Sequence, residues 1–146
     1  MGPHSYLSLM AFITSHNIRS DISVTGSDSD GYNIGGLVGY FSLDNSVSSS
    51  VENVEITGNV TSDRNNVGGI IGYAEVYGYA PDDVELSIKK SSYNGTVTSN
   101  NGGYAGGLIG YAYVENETDQ VVAPARLLIE NSYSQGAVTA SESTVG

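Results

Sequence analysis

Apolar residues in this chain fall in short runs separated by glycine and small polar residues, and the runs recur. Gly35-Gly36-Leu37-Val38-Gly39-Tyr40 returns as Gly68-Gly69-Ile70-Ile71-Gly72-Tyr73 and again as Gly106-Gly107-Leu108-Ile109-Gly110-Tyr111. After each phrase comes an alternating run: Val51, Val54 and Ile56; Val84, Leu86 and Ile88; then Arg126-Leu127-Leu128-Ile129-Glu130. Apolar residues at a period of two predict strands buried on one face. Leu7, Leu9, Ala11 and Ile13 alternate the same way and predict a first strand. No long stretch carries the period expected of an amphipathic helix.

A third element closes each unit. Asn53-Val54-Glu55-Ile56-Thr57-Gly58-Asn59-Val60-Thr61 corresponds to Ser92-Tyr93-Asn94-Gly95-Thr96-Val97-Thr98 and to Asn131-Ser132-Tyr133-Ser134-Gln135-Gly136-Ala137-Val138-Thr139. The second copy is one residue shorter before its glycine. Asn17-Ile18-Arg19-Ser20-Asp21-Ile22-Ser23-Val24-Thr25 is an earlier, degenerate copy in which Ile22 replaces the glycine. The chain therefore divides into a leading half-repeat at 5–28 and full repeats at 31–63, 64–99 and 102–141. Val145-Gly146 matches the opening of a further repeat, so the chain is expected to be one domain cut from a longer array.

Self-similarity at this period marks stacked, quasi-one-dimensional architectures. Three short strands per unit, joined by Gly/Asn/Ser corners, predict an all-β parallel β-solenoid (a β-helix) of about three and a half coils. Val24, Val60, Val97 and Val138 would form one core column, and Leu37, Ile70 and Leu108 another. Gly39, Gly72 and Gly110 would admit a close neighbour, with the following tyrosine covering the gap and keeping its hydroxyl wet. An antiparallel β-sandwich is the alternative; it matches the composition but not the recurrence in register.

Composition narrows the function. Of 146 residues, 39% are hydrophobic, only 14% are charged, and 19 are glycine, which is a β composition with no disordered character. The net charge of −11 leaves no basic stripe for phosphate neutralisation, so nucleic-acid binding is not expected. No apolar run is long enough for a membrane span. Cysteine is absent, which removes disulfides, thiolate metal sites and a cysteine nucleophile.

The repeated phrase resembles the GLUG motif, named for its Gly-Leu-any-Gly core. Gly36-Leu37-Val38-Gly39 and Gly107-Leu108-Ile109-Gly110 match it, and Gly69-Ile70-Ile71-Gly72 matches with isoleucine for leucine. Asn131-Ser132-Tyr133 followed by Gly136-Ala137-Val138 also looks like that family. The resemblance covers about 31–141 and implies a β-helical repeat region of large bacterial surface proteins. Adhesin-like proteins and the non-catalytic parts of immunoglobulin A-specific metallopeptidases carry such regions. It brings no catalytic residues. The chain departs from compact family repeats in longer loops, near 44–50, 77–83 and 114–124.

Candidate chemistry is sparse. Asp28, Asp30 and Asn33 form the best oxygen-ligand cluster, but without the bidentate glutamate of an EF-hand loop. At most weak calcium binding is expected there, and no other cofactor. Tyr77, Tyr79, Asp82 and Asp83 gather in the second long loop, where aromatic and acidic side chains suit sugar or protein contacts. Thr25, Thr61, Thr98 and Thr139 predict an exposed hydroxyl ladder. His4 and His16 are the only histidines, and no His-Glu-x-x-His or Gly-x-Ser-x-Gly occurs, so no catalytic residue is assigned. The expectation is a non-enzymatic, extracellular repeat segment on a bacterial surface, displaying loops to glycan or protein partners and joined to further repeats. A carbohydrate-binding module is the alternative, decided by whether aromatic and acidic side chains converge on one face.

Overall fold

The computed structural model describes residues 14–26, 33–43, 48–63, 66–78, 83–116 and 124–141. Within them the chain is all-β. The leading pass holds β1 (Thr14–Asp21) and β2 (Val24–Gly26). The first full pass holds β3 (Ile34–Gly35), β4 (Val38–Leu43), β5 (Ser49–Thr57) and β6 (Val60–Ser62). The second holds β7 (Val67–Gly68), β8 (Ile71–Gly78), β9 (Val84–Lys89), β10 (Ser92–Asn94) and β11 (Val97–Ser99). The third holds β12 (Ala105–Gly106), β13 (Ile109–Asn116), β14 (Ala125–Glu130), β15 (Tyr133–Gln135) and β16 (Val138–Ala140). Leu7–Ile13 lies outside the described residues.

Every strand pairing among the described residues is parallel, which removes the antiparallel sandwich. Each strand pairs with its counterparts in adjacent passes. One sheet runs β4-β8-β13, another β3-β7-β12, a third β2-β6-β11-β16, and the largest joins β1 and β5 with β9, β10, β14 and β15. Val24, Val60, Val97 and Val138 are register partners, and so are Thr25, Thr61, Thr98 and Thr139. Identical side chains thus repeat in columns across the strands, as the sequence recurrence predicts. Three boundaries shift: Tyr77 and Gly78 still belong to β8, Val114 to Asn116 still belong to β13, and Ser49 already opens β5.

One residue per pass bends the largest sheet. Asn17, Asn53, Lys90 and Asn131 all have positive φ, between 48° and 63°. Asparagine visits this left-handed region more readily than other side-chain-bearing residues, so it holds three of the four places. The residue after the bend locks the corner. Ser91 Oγ donates to the Lys89 carbonyl at 2.8 Å and accepts from Val54 N–H at 3.2 Å. Ser132 repeats the arrangement one pass on, donating to the Glu130 carbonyl at 2.9 Å and accepting from Ser91 N–H at 3.1 Å.

The glycine before the tyrosine of each phrase is set by backbone proximity. A Cβ on Gly72 would lie 2.6 Å from the Gly39 carbonyl oxygen and from Ile34 N. One on Gly110 would meet the Gly72 carbonyl at 2.6 Å. The close neighbour expected over these glycines is therefore the backbone of the preceding pass.

The tyrosine alignment is corrected by the register. Ser92 pairs with Tyr133, and Tyr93 with Ser134. The two units have equal length before their glycines, and their tyrosines stand one residue apart. A shift of one residue reverses the face of a strand. Tyr93 accordingly points inward and is 1% exposed, whereas Tyr133 points outward at 62%. The Tyr93 hydroxyl lies within reach of two carbonyls, Gly58 at 2.7 Å and Thr96 at 3.0 Å. Burial raises its pKa above the ordinary phenol value.

The core lies between the sheets. Val51, Val54, Ile56, Val60, Val67, Ile70, Ile71, Val76, Val84, Leu86, Ile88, Tyr93 and Val97 are almost wholly buried. Leu37 and Leu108 pack against this core only partly, beside the sealed Ile70. On the outside of the largest sheet, opposite charges meet across passes. Arg19 pairs with Glu55 at 2.9 Å, Lys90 with Glu52 at 3.7 Å, Lys89 with Glu130 at 3.9 Å, and Arg126 with Asp83. These pairs are exposed or half-buried and add little stability, but they reinforce the register.

Candidate functional site

The outer face of β4-β8-β13 gathers the aromatic and acidic side chains. Alternation along β8 sends Ala74, Val76 and Gly78 inward and leaves Tyr73, Glu75 and Tyr77 on the other side. Parallel register then fixes their neighbours. Tyr73 stands between Tyr40 and Tyr111, Glu75 between Ser42 and Tyr113, and Tyr77 beside Glu115.

Tyr40, Tyr73 and Tyr111 form a ladder. Their ring centroids are 5.2 and 5.1 Å apart, with interplanar angles of 18° and 11°. Strand spacing in a sheet is close to that distance, so the register itself imposes the stacking. Tyr104 leans on the end of the ladder, 4.9 Å from Tyr111 at 42°. Tyr77 and Tyr113 meet edge to face at 5.8 Å and 63°. The ladder's ring faces are turned towards one another, so its sides present ring edges and hydroxyls.

Glu75 organises these hydroxyls. Its carboxylate accepts from Tyr40, from Tyr77 at 2.5 Å and from Tyr73 at 3.5 Å. Glu115 takes the Tyr113 hydroxyl at 2.8 Å. The carboxylates hold these phenols in their protonated form. Tyr40 is pushed up to about 12, first by burial and then by its bond to Glu75. Tyr77 is raised chiefly by its bond to Glu75, and Tyr73 by burial and then the Glu75 charge. Tyr113 is raised chiefly by its bond to Glu115. With their protons committed to Glu75 and Glu115, the phenol oxygens are left to act as acceptors, a role in which Tyr40 already serves Ser42.

Of the residues expected to bind a ligand, Tyr77 belongs to this face, although it sits in β8 and not in a loop. Asp83 stands just before β9 and is paired with Arg126. Tyr79 and Asp82 lie outside the described residues. So do Asp28 and Asp30 of the calcium cluster. Its third member, Asn33, accepts a hydrogen bond from the Asn66 side-chain amide at 2.8 Å. Among the described residues no three acidic or histidine side chains gather as a metal site requires.

Sequence reasoning missed Glu75 as the hub and the ladder as a unit. Both signals were present. The tyrosine ends each of the three Gly-Gly phrases, and Tyr73, Glu75 and Tyr77 recur at a period of two. No protein-family model, no curated protein and no solved structure matches this chain.

Proposed function

We propose that this chain is a repeat segment of a large bacterial cell-surface protein, a parallel β-solenoid of about three and a half coils that presents an adhesive face. The work is interfacial, with no chemical step. The observation that carries the reading is the tyrosine ladder tied to Glu75 on the outer face of β4-β8-β13. A rigid aromatic surface orders few rotors on binding, which favours contact over catalysis. The resemblance to GLUG repeats supports the surface location.

The carbohydrate-binding alternative gains from the convergence of tyrosines and carboxylates on one face. Glu75 consumes the phenol protons, so the face offers acceptors and selects a ligand rich in donors. Glycan hydroxyls have that character, and Tyr104, which is 61% exposed, adds an open ring. The site then lies on the strands and not in the variable loops.

A glycan-array screen of the full chain beside the Tyr73→Ala and Glu75→Gln variants tests both forms. Hits lost in both variants support a lectin-like adhesive face. Hits retained in both would sink the assignment of this face. Silence on the array, with capture of a surface protein that the two variants fail to capture, would assign the face to protein contact.

A further inference from the structure

The leading pass differs from the later ones at a repeated corner position. Gly58, Gly95 and Gly136 occupy one column, and Ile22 precedes them in it. Ile22 N–H donates to the Thr57 carbonyl, Gly58 N–H to Asn94 and Gly95 N–H to Gln135, each bond reaching into the following pass. The column is sterically closed towards the preceding pass. A Cβ on Gly58 would lie 1.8 Å from the Ile22 carbonyl oxygen, one on Gly95 would lie 1.8 Å from that of Gly58, and one on Gly136 would lie 2.0 Å from that of Gly95. Gly58 and Gly136 also hold φ of +113° and +127°, which β-branched residues do not adopt. A pass can follow another only if it brings glycine here. Ile22 breaks that condition, because it carries the Cβ for which the column leaves no room.

The opposite end is open. Val60 and Val97 are sealed by the pass that comes after them, but their partner Val138 is 47% exposed. Ile129 is 46% exposed where Ile88 is sealed, and Val114 is 41% exposed where Val76 is sealed. The second pass shows what covers such a face: the next pass of the same repeat, in register.

We infer that the face formed by β12–β16 is a docking surface for one further pass of this repeat, selected by glycine over Gly136. The leading pass, carrying Ile22, is refused there, so copies of the chain do not stack head to tail. The glycine condition follows from the parallel register and is independent of the surface-protein reading.

The test joins a second copy of residues 102–141 to the C-terminus of the full chain. A control carries Gly136→Ile in the appended copy alone. Hydrogen exchange at 138–140 of the original chain is the readout, with amides of β9 to β11 as the folding control. The glycine form is expected to slow exchange at 138–140 by about tenfold or more, as an edge strand becomes an interior one. The isoleucine form is expected to leave it unchanged. Equal protection by both forms would overturn the glycine selection, and protection by neither would overturn the docking surface. Sedimentation of the original chain should show no association with rising concentration. Concentration-dependent assembly abolished by Val138→Asp would mean that a second copy covers this face, and would also overturn the inference.

Discussion

Val97 and Val138 occupy the same position in the second and third passes, follow the same Gly-x pattern and pair directly with each other. One is wholly buried and the other is half open. The same contrast holds for Ile88 with Ile129. Burial here belongs to the place of a residue in the stack, not to the residue or its strand. A pass acquires its core only when the next pass arrives, so the second pass is the interior of this molecule and the third is its rim.

Mutations at matched positions can sharpen or break this contrast. The largest separation is expected at the shifted tyrosines. Tyr93→Ala removes a sealed aromatic side chain and should cost about 3–5 kcal/mol in urea unfolding. Tyr133→Ala should stay within about 0.5 kcal/mol, as an exposed position does. Equal losses would return the two tyrosines to one register. The valine pair comes next. Val97→Ala should cost about 2 kcal/mol from lost transfer energy and the cavity left behind. Val138→Ala should cost under about half as much, because solvent already reaches it. Tyr93→Phe keeps the ring and deletes the hydroxyl shared by the Gly58 and Thr96 carbonyls. About 1 kcal/mol is expected from that change, measured the same way.

A pH titration separates the outer face from the rim. Folding raises the pKa of Tyr40 to about 12, and those of Tyr73, Tyr77 and Tyr113 also rise. The folded protein thus holds these phenol protons more tightly than the unfolded chain, whose phenols titrate near pH 10. The resulting stability is complete below about pH 10 and is lost as pH rises through the folded values. Phenolate absorbance should therefore lag behind that of free tyrosine and rise together with unfolding. In Glu75→Gln the lag should shrink, because the carboxylate that accepts from Tyr40 and Tyr77 is gone. An unchanged absorbance curve would remove Glu75 from its place as the hub.

Much of the strand stack was legible in the sequence because a stacked repeat writes its register into the chain. The valine and threonine columns follow directly from Gly-x-Val-Thr, and the Gly-Gly phrase marks where backbones meet. The tyrosine mismatch was not legible: aligning like residues placed Tyr93 over Tyr133, while the chain aligns by the Asn53-Lys90-Asn131 bend and the glycine that follows. Lys90 hides that bend, since lysine gives no signal of a left-handed backbone. The ladder was half legible. Three tyrosines at one repeat position imply a column, but only parallel pairing across adjacent passes turns a column into stacked rings. Glu75 has no counterpart at its position, where Ser42 and Tyr113 stand, so its only signal was the departure of its segment from the sister copies and the alternation with Tyr73 and Tyr77.

The stacking of every sheet in one direction has a mechanical consequence. Hydrogen bonds between passes, the tyrosine rings and the cross-pass ion pairs all lie along the same line. A pull along that line loads the bonds of all four sheets together, so no single strand can be peeled away first. A sideways force meets only one sheet's edge. Separating two passes therefore breaks the bonds of all four sheets together, whereas lifting one outer strand breaks those of a single sheet.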